Sequence, residues 1–70
     1  MFVKLYDISL KKAVFFNCGD IRAFASSEDT DGKQTTALAF RNGTVSTVLG
    51  SDANVLAAIK EADEWWNGLE

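Results

Sequence analysis

The apolar residues of this 70-residue chain keep one period up to Gly50 and another after it, and that single switch constrains the fold more than any other feature. Before Gly50, apolar and polar side chains alternate in short runs broken by turn formers, the pattern of half-buried strands. After it, apolar residues recur with helical spacing. Such a chain is expected to fold as a small antiparallel sheet of four to five strands followed by one C-terminal amphipathic helix on one face, an α+β domain over residues 1–68. Leu69-Glu70 matches a common vector-derived tail and is set aside.

Phe2 to Asp7 sets Val3 and Leu5 against Lys4 and Asp7, the first strand. A turn near Ser9 to Lys12 leads to Ala13–Phe16, closed by the turn formers Asn17-Cys18-Gly19-Asp20. Ile21 to Ser26 alternates again, with Ile21, Ala23 and Ala25 on one face and Arg22 and Phe24 on the other. The polar stretch 27–33 is expected to form an exposed loop. Gln34 to Phe40 is the next strand, and Asn42-Gly43 is a strong hairpin signal because both residues tolerate positive φ. Thr44 to Leu49, rich in β-branched residues, completes the sheet. Ser51 or Asp52 then offers an N-cap. Val55, Leu56, Ile59, Ala62 and Trp66 form one continuous apolar stripe, with Ala58 and Trp65 widening its edge, on a helix beginning near Ala53 and ending at Asn67-Gly68.

Composition narrows function more by exclusion than by assignment. There is no histidine, which removes the commonest participant in triads, zinc sites and near-neutral acid–base catalysis. Cys18 is the only cysteine, so no internal disulfide forms. Seven basic against ten acidic residues give a net charge of −3, no footprint for direct nucleic-acid binding. The longest apolar run, Ala13 to Phe16, is far short of the roughly 20 residues that span a bilayer, and no signal-peptide h-region is visible. The expectation is a cytoplasmic protein without membrane insertion, metal or cofactor, and not an enzyme.

Three features are candidate sites. Ser27, Asp29, Asp31 and Gly32 occupy positions 1, 3, 5 and 6 of an EF-hand-like spacing, but Leu38 stands at the twelfth position and strands flank the loop. A ligand there would raise thermal stability. Cys18 lacks a neighbouring cation, histidine or second thiol that would activate it. Asp20, Asp29, Asp31, Asp63 and Glu64 fall in turns or on the polar side of the helix, where solubility accounts for them.

The aromatic residues are more informative. Eight large rings exceed what one face of a small sheet can cover, and the adjacent pairs Phe15-Phe16 and Trp65-Trp66 cannot both point inward. Tyr6, Phe15, Phe24, Trp65 and Trp66 are therefore candidate anchors for protein binding, with the chain itself as the first expected partner, as a homodimer or higher oligomer. Charge adds a second candidate surface. Asp52, Glu61, Asp63 and Glu64 face only Lys60 along the helix region, whereas Lys4, Lys11, Lys12 and Arg22 dominate the first 27 residues. An acidic face carrying Glu61, Asp63 and Glu64 would suit a protein with a basic surface, as in a phage-type inhibitor of a nucleic-acid-processing protein.

The opening Val3-Lys4-Leu5, the Phe15-Phe16-Asn17 strand end followed by Ile21, the Asn42-Gly43 turn, and a terminal helix with Val55 and Ile59 resemble small bacterial proteins of the FlbD/SwrD type. The resemblance covers most of residues 2–62 and implies a sheet-plus-helix fold and a flagellar-associated accessory role. The chain departs from that pattern in its first turn, Ile8-Ser9-Leu10-Lys11, in its longer 27–33 loop, and at Leu49-Gly50-Ser51-Asp52.

Overall fold

The computed structural model describes residues 1–68, and the side chains of Trp66 and Asn67 lie outside that description. Five strands, β1 (Phe2–Asp7), β2 (Lys12–Asn17), β3 (Ile21–Glu28), β4 (Gln34–Phe40) and β5 (Val45–Leu49), form one antiparallel sheet in the order β2-β1-β5-β4-β3. Helix α1 (Asp52–Gly68) packs against it, giving the expected α+β fold.

The order places consecutive strands β2 and β3 at opposite edges, joined only by a 3₁₀ turn, Cys18–Asp20. In a flat sheet those edges would stand about 19 Å apart, whereas three residues of 3₁₀ helix advance about 6 Å. The sheet therefore folds over on itself. The bend falls where β1 meets β5, because those strands share one paired position, Asp7 opposite Val48, against six between β1 and β2. The Ile8 amide adds a bond of 3.0 Å to the Thr47 carbonyl there. Two ribbons result, β2-β1 and β3-β4-β5, and their inner faces enclose the core.

Val3, Leu5, Phe16, Leu38, Val48 and Val55 are the buried apolar residues of that core, and Phe24, Phe40, Ile59 and Ala62 pack around them. Phe16 of one ribbon stacks on Phe40 of the other, ring centroids 5.8 Å apart. The alternation of β1 delivers Val3 and Leu5 inward and Phe2, Lys4 and Tyr6 outward. Phe16 is buried and its neighbour Phe15 exposed, as their adjacency requires.

Five details differ from the sequence expectation, the first being that Leu56, placed there in the helical stripe, is 44% exposed while Ala58 packs on the core. Asp7, grouped there with Lys4 as polar, lies on the inner face with Val3 and Leu5 and is buried. A bulge between Ile21 and Ala23 puts Ile21 and Phe24, rather than Ile21 and Ala23, on the same side: both pack against the core while Ala23 and Ala25 face out. Strand β3 runs on to Glu28, so the loop begins at Asp29. In the Asn42-Gly43 turn only Gly43 has positive φ, +88°. The Gly43 amide donates to the Phe40 carbonyl and the Phe40 amide to Thr44, a type I turn closed by one left-handed glycine.

At the helix start, the Ser51 hydroxyl accepts from the Asn54 amide at 3.2 Å, the capping bond expected of this residue.

Candidate functional site

The pairing register determines where the surface of the molecule opens. With Asp7 opposite Val48, the first residues of β1 lie beyond the end of β5, where the chain turns into α1. The helix takes the place of a strand along that stretch, and side chains project from both sides of the junction. Between them lies a groove of about 470 Å³. Val3, Ala58 and Ala62 supply small, apolar walls, while Phe2, Lys4, Phe15, Glu61 and Trp65 complete the lining.

Among the described residues, Phe15 and Trp65 are the most exposed rings, at 66% and 60%. Their prominence follows from position. Phe15 sits opposite Lys4 on the outer face of the β1–β2 ribbon, and the Lys4 ammonium lies 5.9 Å from its ring centroid. That is cation–π distance, and it orients the ring and places a positive charge on the groove wall. Glu61 brings a carboxylate to the same groove from the helix.

Of the residues singled out from sequence, Phe15, Trp65 and Glu61 are brought together here. Tyr6 is exposed on the same outer face, two positions along β1 from Lys4. Phe24 is half-buried on the opposite flank of the helix, where it lines a second groove of about 390 Å³ with Ile21, Leu56 and Ile59. Asp63 and Glu64 are exposed on α1. The Trp66 side chain lies outside the described residues. Sequence reasoning missed Phe2 and Lys4, although their outward parity follows from Val3 and Leu5 pointing in.

The polar loop is occupied with its own backbone. The Asp29 carboxylate accepts from the amides of Asp31 and Lys33, both at 2.9 Å, and the Asp29 amide donates to the Lys33 carbonyl. Among the described residues no group of three His, Cys, Asp or Glu side chains is placed to hold a metal ion. Burial pushes the Cys18 thiol above its ordinary pKa, so little thiolate forms at neutral pH. No described helix is long and apolar enough to cross a membrane.

Comparison with known proteins finds no matching family model, no matching curated protein and no matching solved structure. The FlbD/SwrD resemblance rests on the quoted residues alone.

Proposed function

We propose that this chain is a non-enzymatic protein-binding module that acts as a homo-oligomer. The observation that supports this reading is the exposure of Phe2, Tyr6, Phe15, Leu56 and Trp65 on a chain whose described core holds six buried apolar side chains. Small domains bury a low fraction of their surface and gain most from covering exposed rings. The raised thiol of Cys18, the internally bonded Asp29 and the lack of histidine are consistent with a binding rather than a catalytic role.

Light scattering coupled to size exclusion, across a hundredfold concentration range, tests self-association. A mass that is a multiple of 7.6 kDa is the expected result, and a monomer at every concentration overturns it.

A second reading draws on α1, where Glu61, Asp63 and Glu64 are exposed and Lys60 is the lone cation. In that reading the helix docks on a basic protein surface. It expects capture of such a partner to weaken as salt rises and to fail when the three carboxylates are neutralised.

A further inference from the structure

The two walls of the aromatic groove come from unlike elements, and each wall is one face of its element. On the helix, Ala58, Glu61, Ala62 and Trp65 stand at i, i+3, i+4 and i+7, a single stripe. On the ribbon, Lys4 and Phe15 are directly opposite one another, and Phe2 lies two residues along β1 on the same face. Each wall therefore presents a large ring and a charge. The charges have opposite signs, Lys4 on the ribbon and Glu61 on the helix. Among the described residues neither is in an ion pair.

The same division extends beyond the groove. The exposed charged side chains of β1, β2 and the turn between them are Lys4, Lys11 and Lys12, since Asp7 is buried. Helix α1 exposes Asp52, Glu61, Asp63 and Glu64 against Lys60. A ligand of one sign would meet its own sign on one of the two walls. A second copy of this chain brings both signs, and it brings rings to match.

Resting on the self-association proposed above, we infer that two copies of this chain dock groove to groove about a two-fold axis running along the groove. That axis exchanges the walls. The helix of each copy lies on the β1–β2 ribbon of the other, Lys4 meets the partner subunit's Glu61, and Phe15 meets the partner subunit's Trp65, each contact being made twice. A two-fold axis across the groove would instead set Lys4 on Lys4 and Glu61 on Glu61, and like charges disfavour it. The exposed parts of Phe2, Phe15 and Trp65 come to about 350 Å² per copy. Two copies thus bring about 700 Å² of ring surface toward the roughly 1,000 Å² that marks a specific contact, and the stems of Lys4 and Glu61 and the walls between the rings supply the rest. The second groove, beside Phe24, has Arg22 as the one charged side chain among its described lining residues, so two copies meeting there would oppose like charges. The acidic helix and the exposed rings, separate features in the sequence, then serve one contact.

Sedimentation equilibrium at low salt tests this on wild type, Lys4→Glu, Glu61→Lys, the Lys4→Glu/Glu61→Lys double variant and Phe15→Ala. Each single reversal turns two attractive contacts into two repulsive ones, and the double variant swaps the signs of the walls and restores the attraction. The expected result is a wild-type dimer, a dissociation constant at least tenfold weaker in each single variant, and recovery in the double variant. If wild type self-associates and all four variants match it, the groove is overturned as the contact while the self-association reading stands. If the charge reversals weaken association and the double variant does not recover it, or if Phe15→Ala alone weakens it, the exchange of walls about this axis is overturned. A monomeric wild type overturns both. Should Phe15→Ala lose its far-ultraviolet circular dichroism, the charge exchange, confined to exposed side chains, decides alone.

Discussion

Asp7 is 3% exposed because its carboxylate builds the first turn. One oxygen, Oδ1, accepts from the Ser9 amide at 2.9 Å, the Ser9 hydroxyl at 2.8 Å and the Leu10 amide at 3.1 Å. Burial pushes the carboxyl upward, but bonds from Leu10 and Ser9 outweigh it and hold the group below its ordinary pKa. The unfolded chain then takes up the proton first, so this contribution is complete above the ordinary aspartate range and is lost as pH falls through the lower folded value. Asp7→Asn keeps an acceptor but not the charge, and is expected to lower stability by about 1 kcal/mol near neutral pH. Urea unfolding at pH 6 and pH 3 checks this: the gap between variant and wild type should narrow at the lower pH, and parallel losses would refute the charge as its source. The sequence already held the parity that turns Asp7 inward with Val3 and Leu5. It did not show the payoff, because three donors converge on one oxygen only after residues 8–11 have turned, with Lys11 at a φ of +56°.

At the scale of elements, the passage from β5 to α1 joins two legible signals to ties that no local pattern displays. Gly50 holds a φ of +108°, which an L side chain rarely adopts, and Ser51 caps the helix that follows. Both residues stand out in the sequence as a strand end and a cap. Two bonds from β4 fix them to the sheet: the Gln34 carbonyl accepts from the Gly50 amide at 3.0 Å, and the hydroxyl of the buried Thr36 donates to the Gly50 carbonyl at 2.9 Å across 14 residues. Gly50→Ala is therefore expected to cost about 1–2 kcal/mol through backbone strain, read as a lowered urea midpoint with an unchanged m-value. A midpoint equal to wild type would mean that the junction relaxes. The same division holds along the sheet. Asn42-Gly43, the β-branched run of β5 and the helical stripe are local signals that the sequence displays. The bulge at Arg22 and the placement of β1 beside β5 are tertiary outcomes, set by how two ribbons close over Val3, Phe16 and Leu38, and no local pattern encodes them. The candidate surfaces share that limit, since the exposure of Phe15 follows from alternation, but its meeting with Trp65 needs the overhang of β1.

For the whole molecule, the proposed self-association ties stability to concentration. A chain of 70 residues without an internal disulfide relies on a core of six buried apolar side chains among its described residues, and such small cores are marginal. If two copies fold together, a tenfold rise in chain concentration stabilises the dimer by about 1.4 kcal/mol by mass action. Spread over an unfolding entropy of about 2.1 cal/mol/K per residue for both chains, this moves Tm upward by roughly 4–5 °C. The Phe15→Ala variant, which lacks an exposed ring of the groove, is expected to shift less over the same range. Calorimetric scans at three concentrations separate the cases. An equal shift in wild type and Phe15→Ala would locate the stabilising contact elsewhere on the surface. A Tm that does not move for either would mean that each copy carries its whole stability alone.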